Sequence, residues 1–236
     1  HLTDWLEQGD TDGLPMRGQV SPRPVGVLLG LELTLNPLSG HPSFNKIAKL
    51  PLAEKVAALS NTDFRAQLLS EEPKSENPFV RALLASFGKI FMLSDPPDYE
   101  PSADKTVAAI AKQRAISEVE VALDLMLQDG GRGVLYFPFL NFADGNLDST
   151  RSMLESKASL PGLSDGGAHV GMICDGSFPT SLLTHWGRDR TQGPRLPPEL
   201  RISRQTRDTR HWAGQHDRGD RKSGVEGKRV RSSGGQ

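Results

Sequence analysis

The segment Gly162-Leu163-Ser164-Asp165-Gly166-Gly167-Ala168-His169 places a carboxylate where a short apolar run around Leu160 gives way to a pair of glycines. Strand ends in α/β folds are where reacting groups gather, and glycines there let a substrate approach the backbone closely. Asp165 is therefore a candidate for proton transfer. Asp and Gly also build ordinary turns, so the competing reading has Asp165 accept from the amides of Gly167 or Ala168. The two roles are compatible. His169 lies four residues on and either lines the same site or stabilises its loop.

The same residues formally match G-x-S-x-G, the nucleophile elbow of serine hydrolases, with Ser164 at the centre. Asp189 and His211 even follow in the chain order of that fold. An elbow should pass straight into a helix, however. Here Gly166-Gly167 and a loop intervene before Pro179, and no HGGG-type oxyanion loop stands upstream. Ser164 is the rival nucleophile.

The elements that must carry these residues read as alternating strands and helices. Met16–Val20 and Val25–Leu31 are apolar runs separated by Pro22 and Pro24, and Lys89–Ser94 is a third, stopped by Asp95-Pro96-Pro97. Pro51 suits a first helical position, the Ser60-Asn61-Thr62 cluster offers a cap for the next helix, and Ser117-x-x-Glu120 has the form of a capping box. Gly130-Gly131 stops the helix that carries Val121, Leu125 and Met126. Val134–Phe137 reads as a strand, Asp148 as a helix cap, Leu160–Leu163 as the strand delivering Asp165, and Pro179 as a helix opening. Such alternation predicts an α/β fold with a parallel sheet.

Bulk properties narrow the function classes. The 236 residues suffice for a domain with a real core, and 36% hydrophobic with 24% charged residues describes a soluble protein. No apolar stretch approaches the roughly 20 residues that span a bilayer, and no secretory-leader pattern is visible. The one cysteine, Cys174, excludes an intrachain disulfide and suits the cytoplasm; its apolar neighbours predict a buried thiol. Residues 201–236 carry ten Lys and Arg against four Asp and Glu, net +6, and the remainder carries 18 against 25, net −7. That basic end has few aromatics and no base-reading motif, so no nucleic-acid partner is expected. From Ala213 onward only three residues are aliphatic, among six glycines, which predicts an irregular tail over 213–236.

A longer pattern is specific. The run from Leu160 to Thr191 (LPGLSDGGAHVGMICDGSFPTSLLTHWGRDRT), then Gly193-Pro194-Arg195-Leu196-Pro197 and Gln205-Thr206-Arg207-Asp208-Thr209, closely resembles the N-acyl-D-amino-acid deacylases, D-aminoacylase-type members of the metal-dependent amidohydrolase superfamily. Gln19-Val20-Ser21-Pro22-Arg23-Pro24-Val25-Gly26, Tyr136-Phe137-Pro138 and Asn141-Phe142-Ala143-Asp144-Gly145-Asn146 fit the same family, so the resemblance spans about residues 12 to 210.

The resemblance implies a (β/α)₈ barrel. A complete one takes roughly 250 residues, and the strands here are too few for eight. The chain is similar to the carboxyl-terminal portion: a partial TIM-like (β/α) barrel over 1–212, made of the last three or so β/α units. A part-barrel leaves two sheet edges for a partner to complete, so a non-catalytic remnant is an alternative. Relatives return after Asp217-Arg218-Gly219 to an apolar strand; a shifted reading frame or a divergent tail explains the departure.

The resemblance also implies a zinc-dependent hydrolase acting on small N-acyl-D-amino acids, with Asp165 in the position that takes the water's proton and returns it to the amine. His169 and Arg23 are the substrate-binding candidates, Arg23 because a guanidinium can clamp the substrate carboxylate; the alternative for Arg23 is a surface residue between two prolines. The family's His-x-His is absent. The six histidines stand at 1, 41, 169, 185, 211 and 216, and none is assigned as a metal ligand. His41 sits in a loop with no visible partner, and His185 reads as a packing or surface residue.

Overall fold

A computed structural model describes residues 2–14, 16–84, 86–162, 171–172 and 176–213. In chain order the elements are α1 (Leu2–Thr11), β1 (Gly18–Val20), β2 (Val25–Leu29), α2 (Pro42–Ile47), α3 (Leu52–Ser60), α4 (Thr62–Ser70), α5 (Pro78–Leu84), β3 (Phe91–Met92), α6 (Val107–Arg114) and α7 (Glu118–Gly131). They continue with β4 (Leu135–Leu140), α8 (Asp148–Glu155), β5 (Ser159–Pro161), α9 (Phe178–Leu183), a π-helical turn at His185–Asp189, α10 (Pro198–Gln205) and α11 (Arg207–Trp212). The fold is mixed α/β. It divides into two units, one formed by 23–149 and 164–176, the other by 1–22, 150–163 and 177–236.

Local signals account for most helix boundaries in the first of these. Asn61 accepts from the Phe64 amide at 3.0 Å and starts α4, and Ser117 accepts from the Glu120 amide at 3.1 Å and starts α7. Glu120 does not complete the reciprocal half of a capping box. Its carboxylate meets Arg65, which also reaches Asp124 at 2.6 Å and so ties α4 to α7. The path of α7 breaks where Asp129 (φ 48°) and Gly130 (φ 63°) turn left-handed, as glycine there permits. The buried stripe of α7 (Val121, Ala122, Leu125, Met126) packs in one core with Leu29 of β2, Leu59 of α3, Leu68 of α4 and Leu135 of β4. Lys55 of α3 is buried too, and its Nζ donates to the Leu31 carbonyl at 2.9 Å.

The sheet of this unit corrects an expectation. Its order is β2-β4-β3, and β4 runs antiparallel to both neighbours, with Val27 opposite Phe137 and Phe91 opposite Tyr136. An apolar run carries no direction, and intervening helices can return the chain either way round. The register slips at Val25/Gly26. There a side chain on Gly26 would meet the Phe137 carbonyl at 2.6 Å, so the close approach of β2 to β4 needs glycine.

In the other unit the strands are parallel. Gly18, Gln19 and Val20 of β1 pair with Ser159, Leu160 and Pro161 of β5, and the Gly162 amide adds a bond to the Val20 carbonyl at 3.0 Å. Arg204 of α10 fixes the approach to β5: its guanidinium donates to Ser159 O at 3.0 Å and Ser156 O at 2.6 Å, and meets Asp208 one turn on at 3.7 Å. Trp186 is fully buried, donates from Nε1 to Pro22 O at 2.6 Å, and carries the Arg190 guanidinium over its ring at 4.7 Å. No closed barrel occurs among the described residues.

Candidate functional site

Asp165, His169, Ser164 and Cys174 lie outside the described residues, as does the tail beyond Ala213. What is described is the strand before them. β5 ends at Pro161, four residues before Asp165, and it is one partner of a parallel pair. On the far side of the segment, Gly171 O accepts from Thr34 N at 2.9 Å and Met172 O from Leu28 N at 2.8 Å, which seats that backbone against β2.

Arg23 is not a surface residue. It is 3% exposed, because the backbone from Pro22 to Pro24 carries its side chain beneath aromatic rings rather than out to water. Its guanidinium lies over the Tyr99 ring at 4.5 Å, and Nη1 donates to the Pro24 carbonyl at 2.9 Å. Tyr99 meets Tyr136 edge-on at 5.8 Å, and the Tyr136 hydroxyl donates to the same Pro24 carbonyl at 3.3 Å. A planar cation stacked on an aromatic face and fixed at one edge is held in a single orientation. The structure therefore brings Arg23 together with Tyr99 and Tyr136.

Glu100 belongs to the same stretch of chain and went unread in the sequence. It is 3% exposed, and its carboxylate accepts from the Leu147 amide at 2.7 Å, while its own amide donates to Asp98 Oδ1 at 3.0 Å. A buried carboxylate is costly unless it is satisfied. The available signal was the Tyr-Glu-Pro triplet after the Pro-Pro stop: an acidic residue flanked on both sides by residues that favour burial or a turn.

The other polar clusters are explained by the fold. His41 is 1% exposed, and Nδ1 faces the Leu38 carbonyl at 3.3 Å, a partner the sequence did not reveal. Burial lowers its pKa below the ordinary 6.5, against smaller opposing effects of the Leu38 carbonyl and Glu71. Glu71 accepts from both the hydroxyl and the amide of Ser43, the amide at 2.9 Å, and these bonds hold its pKa down. The Ser43 proton thus points to a carboxylate and not to His41, which describes a helix cap and not an activated nucleophile. Asp189 has both oxygens on Arg188, at 2.5 and 3.0 Å, which lowers its pKa and removes it as an orienting partner for His211.

Among the described residues no group of three or more His, Cys, Asp or Glu side chains could hold a metal ion. They do not fit the zinc centre that the resemblance implies. Among the described residues no helix is long and apolar enough to cross a membrane.

Neither a family model, nor a curated protein, nor a solved structure matches the chain.

Proposed function

We propose that the chain supplies the proton-transfer carboxylate of a hydrolase that cleaves N-acyl-D-amino acids to a carboxylic acid and a free D-amino acid, on part of a TIM-like (β/α) barrel in the cytoplasm. The observation that carries the reading is the GLSDGGAH segment leaving β5, a strand paired in parallel, so that Asp165 follows a parallel strand end. Water adds to the acyl carbonyl, the C–N bond breaks, and the water's proton passes through the Asp165 carboxylate to the departing nitrogen. His169, four residues on in the same segment, is the second candidate to line the site. Arg23, stacked on Tyr99 and buried, is the candidate for the substrate carboxylate in the unit that also contains residues 164–176. Zinc belongs to the resemblance. Its His-x-His is not in this sequence, so a partner or a further segment must supply the water-activating centre.

The test has two arms. The chain alone, with or without added zinc, should release negligible D-amino acid from an N-acetyl-D-amino acid. Joined to an amino-terminal half that carries the His-x-His strand, it should become active, and Asp165→Asn should lower kcat by roughly 10²–10⁴. A folded chimera that is inactive, or active without Asp165, refutes the assignment. Activity of the chain alone that survives chelation and vanishes with Ser164→Ala would install the serine-hydrolase reading instead.

A further inference from the structure

The ends of β3 and β4 and the loop after β4 enclose a cavity of about 290 Å³ that the hydrolase reading does not use. Its walls are aromatic. Phe91 of β3 meets Phe142 edge-on at 6.2 Å, and Phe137 and Phe139 of β4 lie tilted at 6.5 Å, all four lining the space. Phe139 is 44% exposed, an apolar ring left at the rim. The wall backbone is fixed on both sides: Glu100 precedes the Pro101–Thr106 wall and bonds Leu147, just past the Phe142–Gly145 wall.

The polar groups lining the space sort sharply. Thr106 spends its hydroxyl on the Ala103 carbonyl and the Ala109 amide, and Ser86 donates to the Ala82 carbonyl. Among the described residues no carboxylate lines the cavity. Lys89 does, and its ammonium has no hydrogen-bond or ion-pair partner among the described residues. The side chains of this lining fit a ligand that is apolar over most of its length and carries one negative group. At roughly 30 Å³ per non-hydrogen centre, the share of one water in the liquid, the space takes about ten such atoms. That is the size of an eight-carbon monocarboxylate.

We propose that this cavity binds a free medium-chain monocarboxylic acid, its hydrocarbon among the four phenyl rings and its carboxylate at Lys89. The inference stands on the cavity alone and is independent of the hydrolase reading.

Titration calorimetry of the full chain with octanoate tests it. Octanoate should bind saturably with one site per chain. Lys89→Gln should weaken octanoate about threefold, the scale of one exposed ion pair, and leave 1-octanol unchanged. Gly88 lines the cavity and a Cβ there meets no atom within 4 Å, so a side chain can start from this position, and Gly88→Phe should abolish binding of both probes. Circular dichroism shows whether each variant is folded, and Gly88→Leu serves as the second filling variant if Gly88→Phe is not. Absence of saturable octanoate binding overturns the proposal. So does octanoate affinity unchanged in a folded filling variant, or octanol bound as tightly as octanoate. Binding to anionic phospholipid vesicles without octanoate binding also overturns it and assigns the rings to a membrane surface.

Discussion

Glu100→Ala deletes a buried acceptor and leaves the Leu147 amide without it. The bond is 2.7 Å long, Leu147 is fully buried, and Glu100 is 3% exposed, so water does not readily replace the lost partner. A hydrogen bond to a charged group contributes roughly 1.5–3 kcal/mol, and an orphaned buried donor makes its loss felt in full. The expected cost is about 3 kcal/mol. For a chain of this length each kcal/mol lowers Tm by roughly 2–4 °C, so the midpoint should fall by about 6–12 °C. Glu100→Gln keeps a side-chain oxygen at the same reach and should lose only about 1 kcal/mol. Urea unfolding followed by circular dichroism gives the free energies, and hydrogen exchange at Leu147 reports the bond itself: protection should fall in the Ala variant and persist in the Gln variant. If Glu100→Ala costs less than about 0.5 kcal/mol, or if both variants cost the same, the carboxylate is not the staple of this loop.

Because burial lowers the His41 pKa, the folded state resists a proton that the unfolded chain takes up near 6.5. Stability should therefore be full above about pH 6.5 and decline as the pH falls below it. His41→Gln should flatten that decline between about pH 7 and pH 5, read from urea midpoints across the range; an unchanged slope would count against buried, neutral His41. Gly26→Ala would place Cβ 2.6 Å from both the Phe137 carbonyl and a Tyr136 ring carbon, and should destabilise by roughly 1–3 kcal/mol. Gly88→Ala, whose Cβ meets nothing within 4 Å, is the control and should stay within about 0.5 kcal/mol of the parent by the same urea assay.

The helices were legible because their signals are local. Asn61 and Ser117 each cap an amide three residues away, and the Gln128–Gly130 turn ends a helix through its own backbone angles. Such contacts close within one turn of chain, so the sequence states them completely. The short strand β5 ahead of the glycines was legible in the same way, from its apolar run. Direction of pairing was not: β2 meets β4 more than 100 residues later, and an apolar strand fits a parallel or an antiparallel neighbour equally well until helices are packed on it. Arg23 shows the same division. Its neighbours Pro22 and Pro24 suggest an exposed bend, and only the arrival of Tyr99 and Tyr136 from distant segments turns the side chain into a buried, stacked cation. Glu100 and Leu147, 47 residues apart, are joined for the same reason: the sequence names the groups that must be satisfied, and tertiary packing, by excluding water, decides which of them satisfy one another.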